Sequence, residues 1–355
     1  MAASTRSLRS AAVAVAEERI KFDIVPAAEV PASALEAFYE KMFPERAEFL
    51  KRHWRWLYRV GEYDWAPSPA VAVAAGSIIG HAGIIPVVLR HGAEERRAMW
   101  LVDLAIRPDL QRQGVGMAMT QALMAQCPIH LGFCNERSLG TLLKCGWEVR
   151  FDTLSLQLLL RPELHPKLQG RTWGKMAGVA TRAVWQTRTL LQKEISVAPV
   201  TPEAITEFAQ HNFGNALHVV RSEAFLNWRI AAHPQSDQHV ILRQNTGQAS
   251  ECKAIARISE ENGFRKLHLL SLAAPMDKNA LSGFFAGVVR WAAREDFHRV
   301  LMVTSDPEVA AVAKWWLPIS TPLRFIYFSN DASVRELLGS SQQYWECIDN
   351  DFDLT

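Results

Sequence analysis

Apolar and polar positions alternate along Lys21 to Pro26, which predicts a first strand. From Pro31 to Arg59 the pattern changes to a helical period, with Phe38, Met42, Phe49, Trp56 and Leu57 as expected buried positions; Pro44 divides the segment into two helices. Val71 to Ala75 is a short apolar run closed by Gly76-Ser77, and Ile78 to Ile85 resumes it. Pro86 is expected to interrupt that strand. Val87 to Leu89 and Arg97 to Ile106 then flank a hairpin loop at His91 to Glu95. These short runs predict an antiparallel meander.

After Ile106 the character shifts. Arg107-Pro108 stops the strand, because proline has no amide proton for a ladder and restricts the residue before it. A helix is expected from Val115 to about Gln126, with Val115, Met119 and Leu123 on one face. A strand at His130 to Cys134, a helix at Glu136 to Lys144 closed by Gly146, and a last strand at Trp147 to Leu160 complete this half.

Residues 161–195 read as a connector. Seven basic residues stand against Glu163 and Glu194, and Trp173, Met176, Ala180, Val184 and Leu191 form a stripe on a helix over 172–192. The stripe allows a weak contact with a membrane surface; an interdomain helix with a solvated basic face is the simpler reading. The second half follows in similar order: strands at His239 to Leu242 and Gln248 to Ile258 with a turn at Asn245 to Gly247, a strand at Lys266 to Ala274, a helix at Ala280 to Arg294, a strand at Arg299 to Ser305 and a helix at Pro307 to Trp316. Phe225 to Trp228 echoes Trp54 to Tyr58. Cys134 and Thr304 lie 170 residues apart, as do Lys144 and Lys314. Equal spacing with little identity suggests an old duplication. The expected division is a flexible leader over 1–20, an N-terminal domain over 21–160, a basic linker helix over 161–195 and a degenerate second domain over 196–355.

Composition narrows the class. A chain of 355 residues implies two domains of ordinary size, and an apolar fraction of 49% allows a core in each. A net charge of +2 argues against nucleic acid as the main partner. No run of 18 apolar residues exists. The start, Met1 to Ala16, lacks acidic residues and has some transit-peptide composition; a plain leader is the simpler reading. The five cysteines show no zinc or redox spacing, which fits reduced thiols in the cytoplasm.

The chemistry concentrates in two motifs. Gln111-Arg112-Gln113-Gly114-Val115-Gly116 fits Q/R-x-x-G-x-G/A between a strand and a helix, with Met117 in the first turn. Glycines let a backbone approach a diphosphate, and the free amides of a helix start hold its charge. Asn135 to Trp147 resembles N-x-x-A-x-x-L-Y-x-K-x-G-F in register, with Asn135, Lys144 and Gly146 matching and Ser138 at the small position. Together these segments resemble the GNAT N-acetyltransferases, over about residues 21–160 well and over 196–330 in outline.

The resemblance implies an α/β fold: two tandem GNAT-like domains, each a mostly antiparallel sheet flanked by helices. It implies acetyl-CoA or a longer acyl-CoA as co-substrate, with no metal. The diphosphate would lie on Gln111 to Met117, and the pantetheine arm along the backbone of Leu104, Ala105 and Ile106 and the side chains of Asn135 and Ser138. The family's tyrosine, which protonates the leaving thiolate, falls on Leu142, so another acid acts or none is needed. Asp103, the one charged residue in Trp100 to Ile106, is the candidate general base, and His81 the second candidate. Trp54, Trp56, Tyr58 and Trp65 lie where the family's first helices cover the acceptor site. The acceptor itself is an amine, with an amino-sugar of a surface-polysaccharide pathway as first expectation. Two alternatives are a long-chain N-acyl amino acid synthase fed by acyl carrier protein and a non-catalytic acyl-CoA-binding or scaffold protein. The second half lacks the glycine loop after its central strand, so it is expected to shape the acceptor site.

Overall fold

The computed structural model describes residues 20–164, 170–189, 194–244, 252–261, 263–274, 277–316 and 319–351. The leader (bar its last residue), the 245–247 turn and the end of the 172–192 helix lie outside these residues.

The N-terminal strands are β1 (Asp23–Pro26), β2 (Ala70–Ala74), β3 (Ser77–His91), β4 (Glu94–Ile106), β5 (Ile129–Cys134), β6 (Glu148–Arg150) and β7 (Leu154–Leu159). The later ones are β8 (Ser196–Pro199), β9 (Leu217–Val219), β10 (His239–Gln244), β11 (Cys252–Glu261), β12 (Phe264–Ala273), β13 (Arg299–Thr304), β14 (Ile319–Pro322), β15 (Arg324–Ser329) and β16 (Gln343–Tyr344). Helices α1 (Ala32–Met42), α2 (Ala47–Leu57), α3 (Val115–Met124) and α4 (Glu136–Lys144) belong to the first half. Helix α5 (Thr172–Thr189) connects, and α6 (Pro202–Ala209), α7 (Glu223–Leu226), α8 (Lys278–Arg294), α9 (Pro307–Trp316) and α10 (Ala332–Ser340) follow.

Two mixed sheets result. The first runs β1-β2-β3-β4-β5-β15-β6, with β9 paired to β3 and β16. The second runs β14-β7-β13-β12-β11-β10-β8. In both, a central parallel pair sits among antiparallel neighbours, β4 with β5 and β12 with β13, and the short β9 and β16 of the first sheet also pair in parallel. The sheets exchange strands. β15, from the C-terminal half, inserts between β5 and β6, and β7, from the N-terminal half, inserts between β13 and β14.

That exchange corrects one expectation. Trp147 to Leu160 is not a single last strand. The edge of β5 is taken by β15, so the chain breaks its pairing after Arg150 and reaches β13. The second correction concerns Pro86, which lies inside β3 opposite Met99. Along its other side β3 meets β2 only up to Ala82 and β9 only from Leu89. Pro86 sits in the gap between those partners, where a missing amide proton breaks no ladder bond. Its carbonyl accepts from Arg59 Nη1 at 3.4 Å.

The helices follow from capping and apolar faces. Asn135 caps α4 by accepting from the amides of Arg137 and Ser138. Val115, Met119 and Leu123 of α3 are buried, as their spacing requires. A core containing Trp100, Phe325 and Trp345 together with Ile255, Leu270 and Val303 joins residues of both sheets. Trp56 and Trp228 tie the halves reciprocally: each indole Nε1 donates to the other's carbonyl, at 3.2 and 2.9 Å.

Candidate functional site

β4 builds the site. It pairs in parallel with β5 only along Met99–Leu101, and beyond that the strands part. From Val102 to Ile106 β4 stays bonded to β3 and leaves its other edge on the opening. A register shift against β3 between His81 and Gly83 gives β4 an extra residue there. Asp103 occupies it with φ of +50°, a left-handed conformation that aspartate tolerates better than most residues. Hydrogen bonds hold it in place: the Asp103 carbonyl lies 3.1 Å from His81 Nδ1.

The parted strands open a cleft of about 320 Å³. Trp100 to Leu104 line it from β4, Phe133 and Cys134 from β5, and Ser138 and Leu142 from α4. Distant segments close it: Phe43 from after α1, Ile326 from β15, and Asn350 and Asp351 from the end of the described chain. The second half thus contributes directly to the cleft.

Its polar centre is a pair of carboxylates bridged by one guanidinium. Arg46 Nη1 donates to Asp103 Oδ1 at 2.8 Å and to Asp351 Oδ2 at 3.0 Å. Tyr58 Oη donates to the other Asp103 oxygen at 2.8 Å. Burial opposes the Arg46 charge, but Asp103 and Asp351 outweigh it and its pKa is raised. Burial, then the Asp103 charge, pushes the Tyr58 and Tyr39 phenols well up, so both stay protonated donors. His81 is fully buried, with Nε2 3.2 Å from Tyr39 Oη. Desolvation lowers its pKa to about 4, so the ring is neutral at physiological pH. It stands behind Asp103 and does not line the cleft.

Arg46, Tyr39 and the 350–351 segment carried no sequence signal, since nothing local marks residues brought in from elsewhere in the chain; Tyr58 stood out only as one of an aromatic group. Two buried arginines set that segment. Arg221 grips Asp349 with Nε and Nη2, at 2.9 and 2.6 Å, and Glu346 with Nη1. Arg229 donates to the carbonyls of Ile348 and Asn350 at 3.0 and 2.8 Å.

Beyond the cleft, the free edge of β4 leads to the glycine loop. Gly114 has φ of +88° and precedes α3, whose first turn has no side-chain cap. A Cβ at Gly114 would meet nothing within 4 Å, so its conformation, not crowding, requires glycine. Arg112 also has positive φ, +67°. Gly116 lies against Ile106 and Thr141, which seats the loop between the ends of β4 and α4. Gln111 Nε2 donates to the Ile106 carbonyl at 3.2 Å, so that carbonyl is engaged. Asn135 spends its side-chain oxygen on capping, and Ser138 Oγ lies 3.3 Å from it. Trp56 is used between the halves, while Tyr58, of the same aromatic group, reaches the site.

The second sheet has the same parting of strands. β12 and β13 pair only along Lys266–Leu269. The chain itself fills that opening: the Leu272 amide donates to Glu346 Oε1 at 2.9 Å, the Ser305 amide to the Trp345 carbonyl at 3.2 Å, and Thr304 bridges to Glu346. Among the described residues, no group of three or more His, Cys, Asp and Glu is placed to hold a metal.

A bulged strand that parts from its parallel neighbour thus lies beside a glycine turn that opens an uncapped helix. Residues 32–147 match the model of the Acetyltransferase (GNAT) family. Solved structures share the fold over most of the chain. A GCN5-related N-acetyltransferase from Kribbella flavida is 13% identical with a TM-score of 0.58, covering 88% of this chain and 72% of that one. One from Anabaena variabilis is 12% identical with a TM-score of 0.51, covering 86% and 72%. N-myristoyltransferase of Saccharomyces cerevisiae, with bound myristoyl-CoA, is 11% identical with a TM-score of 0.54, covering 88% and 80%. No curated protein sequence matches significantly.

Proposed function

We propose that the protein transfers an acyl group from acyl-CoA to an amine by direct attack in the β4–β5 cleft. The observation that carries this reading is the unpaired edge of β4 from Val102 to Ile106, leading from the Asp103 cleft to the glycine loop. The diphosphate binds the amides around Gly114, Val115, Gly116 and Met117, with Gln111, Arg112 and Gln113 in the approach. The pantetheine lies along Leu104, Ala105 and Ile106, with Asn135 and Ser138 beside it.

The amine must lose a proton to attack the thioester carbonyl. Its nitrogen bonds to the carbonyl carbon, the C–S bond breaks and CoA leaves as thiolate. Leu142 cannot protonate that thiolate, and a thiol pKa near ~8.5 lets it leave without an acid. Asp103 takes the amine proton, and Arg46 and Tyr58 hold its carboxylate in place. His81 positions the Asp103 backbone. Because Arg46 and Tyr58 together occupy both Asp103 oxygens, Asp351, on the same cleft, is the second candidate for that role.

Two carboxylates at the cleft suit a cationic acceptor, and we place an amino-sugar first. The likeness to a fold that holds myristoyl-CoA supports a second reading, a long acyl chain placed on an amino acid. Thermal shift with acetyl-CoA, palmitoyl-CoA and free CoA tests the donor: a ligand at ~100 times its dissociation constant stabilises by ~2.7 kcal/mol. No shift with any of them removes the acyl-CoA assignment. Asp103→Asn is expected to keep CoA binding and lose turnover on the order of 10²-fold or more. Full turnover in that variant, with loss in Asp351→Asn, moves the base to Asp351.

A further inference from the structure

Helix α5 has three faces. At ~100° per residue, Gly174, Gly178 and Trp185 fall together, and they are buried toward the Pro162–Leu164 turn and α8. Arg171, Lys175 and Arg182 form a basic arc beside them, with Arg182 paired to Glu163. The remaining arc is apolar and faces outward: Trp173 is 78% exposed, Met176 63%, Val179 63% and Val184 48%. Trp315, 66% exposed, lies under the Arg188 guanidinium at 4.8 Å, near the end of the helix.

A helix that buries one face normally turns polar residues to water. Here the outward face carries a tryptophan and a methionine, and residues 171–189 include four basic side chains and no acidic one. We propose that α5 docks the protein on an anionic lipid bilayer surface. The Trp173, Met176 and Val184 arc enters the boundary between headgroups and acyl chains, as amphipathic interfacial helices do. Arg171 and Lys175 reach lipid phosphates along their apolar stems. Tryptophan suits this depth, with an apolar ring and one polar N–H. A second copy on the same face is disfavoured, because a two-fold contact sets a patch against itself and brings the basic arcs together. The helix lies on the surface; among the described residues none is long and apolar enough to cross a membrane. This inference does not depend on the acyl-transfer reading.

The test is co-sedimentation of the full chain with phosphatidylcholine vesicles, with and without phosphatidylglycerol, at low and high salt. Binding is expected only to the anionic vesicles and to weaken with salt. Trp173→Ala combined with Met176→Ser should cut the bound affinity about tenfold or more. Removing Arg171 and Lys175 should cost about fivefold each. Unchanged melting of these surface variants shows that the fold is kept. A wild-type chain that stays in the supernatant overturns the proposal, as do variants that bind like wild type. A Trp173-dependent dimer in light scattering, without vesicle binding, assigns the face to a second copy.

Discussion

At the residue scale, the site depends on who is allowed close to whom. Tyr58 reaches Asp103 only because Gly83 lacks a side chain: a Cβ there would meet the Tyr58 ring at 2.6 Å. Gly83→Ala is therefore expected to displace Tyr58, destabilise by ~1–3 kcal/mol in urea melts and lower kcat/KM. Gly114 plays a different part. Gly114→Glu forces a non-glycine residue into φ of +88° and puts a negative charge at the helix start, so CoA binding in calorimetry should vanish while most of the melting temperature survives. Normal affinity in that variant would remove the diphosphate from this loop. Both glycines stood in the sequence, but only Gly114 belonged to a pattern. The need for Gly83 arises from a ring that approaches from α2, 25 positions earlier in the chain, and has no local trace.

At the element scale, most of what was legible was periodic. α1 and α2 lie on either side of Pro44, α3 begins at Val115 and α4 ends before Gly146, because capping and apolar spacing are local. What could not be read was which strand pairs with which. Trp147 to Leu160 has a strand-like composition throughout, yet β6 and β7 enter different sheets. Pairing is chosen by the edges available, and the edge of β5 is filled by β15 from nearly two hundred residues away. A fragment of residues 20–160 would lack β15 and expose the edges of β5 and β6. It is expected to aggregate alone and to recover CoA binding when co-expressed with 161–355. A soluble, CoA-binding fragment would show that the exchanged strand is dispensable.

At the scale of the whole molecule, two sheets with matching parted strands share a core, and only one of the two openings stays available. Trp345 and Glu346 fill the other, and the same segment goes on to place Asp351 at the cleft. Desolvated histidines, with His81 and His130 buried and His211 half-buried, give the assembly a pH limit. His81, His130 and His211 each have a pKa lowered to about 4, by burial first, from an ordinary 6.5. Between those values the unfolded chain binds protons that the folded chain refuses, so stability falls as pH drops from 6.5 toward 4. Each site contributes a slope approaching ~1.4 kcal/mol per pH unit. Melting temperatures should hold from pH 8 to 7 and decline steadily below 6; a flat profile to pH 5 would mean these rings are not buried neutral. The sequence by itself determined the longer helices of the first half, the glycine loop and the placement of Asp103 in an apolar strand, because spacing, turn residues and a lone charge are written locally. Tertiary structure alone decided the strand exchange, the Arg46 bridge between Asp103 and Asp351, and the filling of the second opening. Each of these is a contact between residues far apart in the chain, selected by shape and charge only after the sheets have come together.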